Sequence, residues 1–190
     1  VLQQKVYELQ GLFVPAHVFT PFKSLYGKGV KSSLTEVFDP NYIDAIELGL
    51  SSDTQMVRHI KEIQKYPFLT NSDAHSLGKM AREYQKLMLK DANFNELKKA
   101  LRHQNDRKIC ANYGLNPLLG KYYWTVCANC NEPLTDELAV CPSCGSATVI
   151  KGVSTRIQEL SDEKIAFVSR PSYIPQVPLD FIPGLGPKTF

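Results

Sequence analysis

Four cysteines in one short window constrain this chain more than any other feature of its sequence. They follow the pattern Cys-x2-Cys-x10-Cys-x2-Cys, with Cys127, Cys130, Cys141 and Cys144 at the four positions. Each Cys-x-x-Cys turn points two thiolates at one centre, and two such turns close a tetrahedral shell around Zn²⁺. We therefore expect a structural zinc site in which protein fills every metal position, so that none is left for chemistry. The alternative is a coincidental or redox-active set of thiols.

The composition is that of an ordinary globular protein. Of the 190 residues, 43% are hydrophobic and 22% are charged. No run of apolar residues is long enough to span a membrane, and the start of the chain, VLQQKVYELQ, has no signal-peptide pattern. We expect a cytoplasmic protein without a membrane partner. The first residue is Val rather than Met, which favours a processed or excised chain.

Positive charge is concentrated in one part of the chain. The formal net charge is only +3, but nine Lys or Arg residues lie between Lys79 and Lys108 against four Asp or Glu. This local excess favours a surface that faces phosphate groups. A solvated helix face with charge pairs between neighbouring turns explains the same residues equally well, so both interpretations stay open.

Residues 11–104 alternate between strand-like and helix-like patterns. Alternation of this kind predicts a parallel α/β sheet or barrel. From residue 112 the chain becomes rich in glycine and proline, which places a boundary near residue 112 and another near residue 170. The predicted strands are 11–18, 43–52 and 67–76, and the predicted helices are 52–66 and 93–104, with a further short helix in KGVSTRIQEL.

Potential metal ligands fall where the predicted strands end. His17 closes the first strand, and Asp73 and His75 follow the third. Active groups of parallel α/β folds lie at these carboxyl ends. Residues two apart on an extended segment point the same way, and imidazole with carboxylate suits Zn²⁺, Mn²⁺ or Fe²⁺. The alternative is that Asp73 caps the following helix while His75 lies on a loop.

Several of these segments resemble a known family. PAHVFTP, AIELGLSSD and TNSDAHS, in this order and separation, resemble the later motifs of the polymerase-and-histidinol-phosphatase (PHP) phosphoesterase domain. With the Gly/Lys loop 19–33, YGLNPLLGKYYWTVCANC, CPSCG and KGVSTRIQEL, they look like endonuclease Q over about residues 10–180. That family joins a PHP domain to a four-cysteine zinc domain and a helical region.

The resemblance implies an α/β fold with three parts. Residues 1–111 would be the C-terminal part of a distorted (β/α)7 PHP barrel, and 112–170 a small zinc-ribbon-like domain. Residues 171–190 would be a linker and the start of a helix-hairpin-helix-like segment. The His-x-His motif with which a PHP domain opens does not occur in this sequence. The resemblance therefore implies that the N-terminal portion of the same domain is a missing partner, without which this chain is catalytically incomplete.

The resemblance also implies an activity. Endonuclease Q is a metal-dependent DNA endonuclease that nicks on the 5′ side of deaminated bases and at abasic sites in DNA repair. His17, Asp73 and His75 match its ligands for catalytic metals, which would be Zn, Mn, Fe or Mg. Glu47 lies in a family motif without an assigned metal role. Its alternative is a structural carboxylate that caps Ser51 or Ser52.

Two further segments are candidates for contacts with DNA. One is the Gly/Lys loop, and the other is the tail FIPGLGPKTF, which resembles a hairpin whose glycine N–H groups hold a phosphate. Solvated loop charges and an ordinary Pro/Gly turn explain the same residues. The candidate residues are Lys23, Lys28, Lys31, Gly184, Gly186 and Lys188.

Two other functions remain open at this point. One is a small-molecule phosphatase of the PHP class, although a small substrate needs neither a zinc module nor a basic helix. The other is a catalytically incomplete, nucleic-acid-binding zinc module. Cleavage of damaged DNA with and without added metal separates the endonuclease from the binding module, and a generic phosphate ester reveals the phosphatase.

Overall fold

The computed structural model describes residues 1–135, 140–163, 166, 168–178, 182 and 184. Its helices are α1 (Leu2–Glu8), α2 (Phe94–Leu101) and α3 (Val153–Leu160). Its strands are β1 (Ile46–Glu47), β2 (Phe68–Leu69), β3 (Tyr84–Met88), β4 (Lys108–Leu115), β5 (Val126–Cys127), β6 (Val149–Ile150) and β7 (Ser172–Gln176). Among these residues, no helix is long and apolar enough to cross a membrane.

The parallel pairing predicted for the first half of the chain is confirmed in a shortened form. β1 and β2 run parallel, with Ile46 opposite Phe68 and Glu47 opposite Leu69. The paired strands have only two residues each, although the sequence predicted runs of about ten. Because the strands are parallel, their carboxyl ends meet at one edge, which is where Glu47 lies.

The prediction of a regular strand at 11–18 is wrong. This segment runs alongside β1 through backbone hydrogen bonds from Asp44 N to Phe13 O and from Glu47 N to Pro15 O. It has no assigned strand, because Pro15 lacks an N–H and His17 adopts a φ of +33°. Both features prevent a continuous ladder of hydrogen bonds.

The helix predicted over 52–66 is also wrong. Two short 3₁₀ turns, Met56–His59 and Lys61–Ile63, take its place. They bury Val57, Ile60 and Ile63, whose spacing of three matches the period of a 3₁₀ helix. Asp53 Oδ1 accepts from Met56 N at 2.9 Å, just before the first of these turns.

The helices predicted near 93–104 and in KGVSTRIQEL are confirmed as α2 and α3. α2 begins after Asn93, whose side chain accepts from Glu96 N at 3.0 Å and so caps the first turn. Leu101 is buried and Leu97 packs against the same small apolar cluster, as the amphipathic pattern predicted.

A three-stranded sheet with the order β3–β4–β7 was not predicted. β3 and β4 are antiparallel, with Tyr84 opposite Tyr113, and β4 and β7 are parallel, with Tyr113 opposite Ile174. β4 continues through residue 112, where the sequence analysis places a boundary. The sheet thus joins residues on both sides of the cysteine window.

The main hydrophobic core also draws on both sides of that window. Val153 and Ile157 of α3 lie in one buried cluster with residues such as Phe19, Tyr26 and Ile46. Chain segments that precede and follow the cysteines therefore pack into a single core, because each presents an apolar face that is too small to be buried alone.

One arginine fastens α3 to the Gly/Lys loop. The Arg156 guanidinium donates to the carbonyl oxygens of Tyr26 at 2.8 Å, Val30 at 3.3 Å and Lys31 at 2.6 Å. It also pairs with Glu159 one turn along the helix. The loop carbonyls would otherwise lack these partners, so we expect the loop to depend on this side chain.

Glu62 holds the other side of the same loop. Its carboxylate accepts from Tyr26 Oη at 2.5 Å, from Ser33 Oγ at 2.7 Å and from Leu34 N. Tyr26 is fully buried, and this burial together with the bond to Glu62 raises the pKa of its hydroxyl well above the ordinary value. The Gly/Lys loop is therefore anchored to the rest of the protein by hydrogen bonds on two sides.

We predict that Arg156→Ala destabilises the protein by about 2–4 kcal/mol, because hydrogen bonds from a charged group to two half-buried carbonyls and one exposed carbonyl are lost. Lys151→Ala is the matched control, since Lys151 pairs with the same Glu159 but is exposed, and it should cost no more than about 1 kcal/mol. Urea unfolding of the two variants measures the difference. Equal losses would show that the loop contacts contribute nothing.

Candidate functional site

The four cysteines meet at one centre, as their spacing predicted. Their sulfur atoms all lie within 4.8 Å of one another. Two Sγ–Sγ distances, Cys127–Cys144 and Cys130–Cys141, are both 3.6 Å. That is too long for a disulfide and close to the edge of about 3.8 Å that a tetrahedron with Zn–S bonds of about 2.3 Å requires. The donor set and its spacing fit a metal such as zinc.

The two halves of this cluster repeat one backbone geometry. In each, the residue four positions after the first cysteine donates its N–H to that cysteine's carbonyl, Asn131 to Cys127 at 3.0 Å and Gly145 to Cys141 at 2.9 Å. Both donors have a positive φ, of 61° and 72°. Asparagine and glycine tolerate this conformation, which turns the chain so that both thiols face the same centre.

Gly152 attaches the cluster to α3. Its backbone N–H donates to Thr125 Oγ1 at 2.9 Å, and a Cβ at this position would lie 2.4 Å from Thr125 N. Because any side chain would collide with the backbone before the first cysteine, only glycine permits this close approach. The cysteine cluster thus lies in close contact with the residue that precedes the helix of the main core.

A second group of polar residues surrounds the carboxyl end of β1. Glu47 is 3% exposed, and its carboxylate accepts hydrogen bonds from the backbone N–H groups of His17 and Gly49. Burial raises its pKa, while the bond from His17 opposes this shift and the charge of Asp73 adds to it. Ser52 bonds instead to Leu48 O, so Glu47 is not its capping group.

Two of the predicted metal ligands have strained backbones. His17 and Asp73 have φ values of +33° and +44°, a region that non-glycine residues rarely adopt and that is often used at functional sites. The Nδ1 atom of His17 is buried and has no hydrogen-bond partner among the described residues. An unpaired imidazole nitrogen of this kind fits a metal ligand.

Asp73 and His75 form a close pair. Asp73 Oδ1 lies 3.4 Å from His75 Nε2, and the two side chains are 46% and 87% exposed. The next helical turn, Leu77–Lys79, begins after Ser76, so Asp73 is not its cap. The pair faces solvent at the edge where β1 and β2 end, which leaves it accessible to a metal or a substrate.

Two side chains, one in β3 and one just before it, hold the loop that carries Asp73. Arg82 Nε donates to Ser72 O at 2.7 Å, and Gln85 donates to Thr70 O and to Asn71 Oδ1. These bonds fix the backbone on the N-terminal side of the Asp73–His75 pair. Arg82 and Gln85 are therefore positioning residues that the sequence analysis missed.

Glu83 is a buried carboxyl group that was also missed. It is 2% exposed, one oxygen accepts from Leu115 N at 2.8 Å, and the other has no partner among the described residues. Burial raises its pKa to about 7. The charge of Glu47 also raises this pKa, whereas the hydrogen bond from Leu115 lowers it. The only signal in the sequence is an acidic residue at the start of the unpredicted strand β3.

The candidate residues for DNA contacts lie on the Gly/Lys loop and in the tail. Lys23, Lys28 and Lys31 are all exposed on the anchored loop. Gly184 has a φ of +87°, whereas Gly186 and Lys188 lie outside the described residues. Within the described part of the chain, the cysteine cluster is the one group of three or more His, Cys, Asp or Glu side chains whose ligand atoms lie this close together.

Relatives of this chain occur in bacteria and archaea. The uncharacterised protein YqxK of Bacillus subtilis is 61% identical over 188 residues, which cover 99% of this chain and 49% of YqxK. The uncharacterised protein MJ0043 of Methanocaldococcus jannaschii is 41% identical over 176 residues, or 85% of this chain and 21% of that protein. The chain thus spans half or less of the length of these relatives. No protein-family model matches it.

Two solved structures are similar to this chain. One is the lesion-specific endonuclease PfuEndoQ from Pyrococcus furiosus, with a TM-score of 0.83 and 39% identity over 94% of this chain and 46% of that one. The other is endonuclease Q in complex with a 27-mer duplex that carries an abasic lesion at the active site, with a TM-score of 0.84 and the same identity and coverage. The predicted resemblance to endonuclease Q is confirmed.

We predict that the protein carries one tightly held metal ion at the cysteines. Cys141→Ser should abolish stoichiometric zinc and lower the thermal midpoint by at least about 10 °C, since metal binding at structural sites stabilises the fold. Metal analysis and thermal unfolding measure both effects. Cys110→Ser, outside the cluster, is the matched control. Full zinc content in the Cys141 variant would rule out the four-thiolate site.

We predict that Glu83 makes stability fall as pH rises. The folded state keeps the Glu83 proton up to a pKa of about 7, whereas the unfolded chain loses it near 4.5, so the folded state binds more protons in between. The expected loss is about 3 kcal/mol between roughly pH 4.5 and pH 8. Glu83→Gln keeps the acceptor for Leu115 N and should remove this loss.

Urea unfolding at about pH 5 and at about pH 8, without added divalent metal, tests the Glu83 prediction. The two proteins should have similar stability at the lower pH, and the glutamine variant should be the more stable one at the higher pH. A common pH dependence in both proteins would show that Glu83 ionises normally.

Proposed function

We propose that this chain is part of a metal-dependent DNA endonuclease that nicks the phosphodiester on the 5′ side of deaminated bases or at abasic sites. The observation that carries this proposal is the similarity to solved endonuclease Q, a lesion-specific endonuclease, over 94% of the chain. The chain covers less than half of that protein, so we propose the activity for the longer protein of which this chain would be a part.

The proposal includes the organisation of the chain. Residues 1–111 form the C-terminal part of a distorted (β/α)7 PHP barrel, 112–170 a zinc-ribbon-like domain, and 171–190 a linker with the start of a helix-hairpin-helix-like segment. The parallel β1–β2 pair supports the barrel part and the centre formed by the four cysteines supports the zinc-ribbon-like part, whereas β4 runs through residue 112 and pairs with β7 beyond residue 170. In this scheme the zinc is structural and the chemistry takes place at the carboxyl ends of β1 and β2.

The residue types at that edge suit a divalent metal, and in this structure Asp73 and His75 form a pair that His17 does not join in one close group. His17 offers an imidazole nitrogen without a partner among the described residues, and Asp73 and His75 offer an exposed carboxylate and imidazole 3.4 Å apart. These would hold the catalytic metal, whether Zn, Mn, Fe or Mg. When bound, the metal would make a hydroxide available near neutral pH and neutralise charge on the phosphodiester oxygens.

The other residues of the edge keep these groups in place. Glu47 fixes the backbone of His17, and Arg82 fixes the backbone before Asp73. Groups that are already in position need no rearrangement during the reaction. Backbone strain at His17 and Asp73 would be tolerated because it holds these side chains in place. Glu83, with a pKa of about 7, lies near enough to Glu47 for its ionisation to respond to that charge.

Contacts with DNA are proposed for the Gly/Lys loop and the tail. The exposed lysines of the loop would contact the phosphate backbone, and the tail glycines with Lys188 would add a phosphate-holding hairpin. A deaminated base is hidden in a duplex, so the damaged nucleotide would be turned out of the stack before cleavage. The similarity to a DNA-cleaving enzyme favours this function over the small-molecule phosphatase and the purely binding module.

We predict that the complete endonuclease of which this chain is part nicks a labelled duplex that carries one uracil, hypoxanthine or abasic site, on the 5′ side of the lesion and only with a divalent metal such as Mn²⁺. Denaturing electrophoresis maps the cut. YqxK of Bacillus subtilis is assayed in parallel, since the chain spans 49% of it. Cleavage by YqxK alone would assign part of the site to residues outside this chain.

Asp73→Asn should weaken Mn²⁺ binding at the second site by about 100-fold or more, because it removes a charged ligand, and should leave the cysteine-bound zinc in place. Calorimetry and metal analysis separate the two sites, and any nicking by the chain should fall with the Mn²⁺ affinity. Asp91→Asn, an exposed aspartate elsewhere, is the matched control. The proposal fails if neither protein nicks any damaged duplex, or if a simple phosphate monoester is the better substrate.

A further inference from the structure

The sheet β3–β4–β7 has an outer face that the proposed function does not use. Alternate residues of the sheet point to opposite sides. Gln85, Asn112 and Tyr173 lie on the inner side, where they bond to Thr70 O, Phe68 O and Leu115 O. The opposite side, which we call the outer sheet face, carries Tyr84, Lys86, Met88, Lys108, Tyr113 and Ile174.

Much of the outer sheet face is open to solvent. Tyr84 is 40% exposed, Met88 48% and Ile174 38%, and both lysines are exposed. Exposed aromatic and aliphatic side chains side by side on one sheet are unusual unless a partner covers them. The three central residues of the face lie in one row, because Tyr84 is opposite Tyr113 and Tyr113 is opposite Ile174.

The two tyrosines form a ready-made stacking platform. Their ring centroids are 4.9 Å apart and their planes differ by only 9°. Gln176 Nε2 donates to Tyr84 Oη at 3.1 Å, so a side chain of β7 holds the ring of Tyr84 in place. Rings that are already parallel and held in place lose little conformational entropy when a flat partner stacks on them.

The charge around this platform has one sign. The sequences of the three strands, YQKLM, KICANYGL and SYIPQ, contain no acidic residue, and Lys86 and Lys108 follow the row of rings in one direction along the outer sheet face. The wider segment from Lys79 to Lys108 has nine basic residues against four acidic ones. Aromatic rings combined with lysines suit a partner that has flat bases and a negative backbone.

We propose that the outer sheet face binds an unpaired strand of DNA, with bases stacked on the Tyr84–Tyr113 pair and phosphates beside Lys86 and Lys108. A single strand fits better than a duplex, because paired bases do not present their faces to a protein. The inference rests on the proposed function for the choice of DNA. It adds a strand-binding surface outside the candidate metal site.

The position of β3 connects this surface with the candidate site. Arg82, two residues before Tyr84, fixes the loop that carries Asp73. The same strand, β3, therefore links the outer sheet face to the loop of the candidate site. Such a surface would hold the displaced strand once a lesion has been opened.

The first test is fluorescence anisotropy with labelled oligothymidine of about 15 nucleotides, a length in the range that single-strand sites cover. The double variant Tyr84→Ala/Tyr113→Ala should bind about 5- to 150-fold more weakly, which corresponds to the loss of one stacked base at about 1–3 kcal/mol. Tyr84→Phe keeps the ring and should bind like the wild type. Tyr7→Ala removes an exposed tyrosine of another aromatic pair and is the matched control.

The second test is the salt dependence of the same binding. Lys86→Gln/Lys108→Gln should lower the slope of log affinity against log salt by about 1.4, because two phosphate contacts are lost. Lys61→Gln, an exposed lysine elsewhere, should leave the slope unchanged. Circular dichroism of each variant verifies that the fold is retained.

The third test maps the contact directly. Photo-crosslinking of an iodouracil-containing single strand should label peptides that contain Tyr84 or Tyr113. The inference is overturned if the tyrosine and lysine pairs bind like the wild type, if crosslinks fall elsewhere, or if the chain binds no single strand. Lesion-dependent nicking alongside any of these results would leave the proposed function standing without this surface.

Discussion

The candidate site depends on one buried carboxylate. Glu47 ends β1 at 3% exposure, and a carboxylate so deeply buried is tolerated only when its oxygens are hydrogen-bonded. Its partners are the backbone N–H groups of His17 and Gly49, so one side chain ties the end of segment 11–18 to the turn after β1. Gly49 has no side chain, and a Cβ there would lie only 3.1 Å from His17 Cβ. A glycine at position 49 therefore permits this close approach to His17.

The cysteine cluster and the α/β part of the molecule support each other. Gly152, the residue before α3, packs against the backbone that precedes the first cysteine. α3 itself buries Val153 and Ile157 in the main core, and its Arg156 donates to carbonyl oxygens of the Gly/Lys loop. Among the described residues, the apolar group at the cysteine cluster comprises only Cys127, Leu134 and Cys141, so the cluster depends on this helix and on whatever metal its thiols can hold. A change at the cysteines would therefore reach a loop that lies far away in sequence.

The sheet β3–β4–β7 gives the molecule two distinct surfaces. Its inner side carries Gln85 and Glu83, which lie against the loop and the strand end of the candidate metal site. Its outer side exposes paired rings and lysines. Since a strand alternates its side chains between two faces, one short element can support the loop that carries Asp73 and expose a second surface at the same time.

The sequence by itself determined the features that depend on local spacing: the four-thiolate centre, the Asp73–His75 pair, α2 and α3. These follow from turn geometry and helical periodicity, which operate over a few residues. Only the tertiary structure decided the β4–β7 pairing, which joins Asn112 to Tyr173, and the 3₁₀ turns that replace a predicted helix. It also decided the role of Glu83, because the pKa of a carboxyl group depends on its burial by residues distant in sequence.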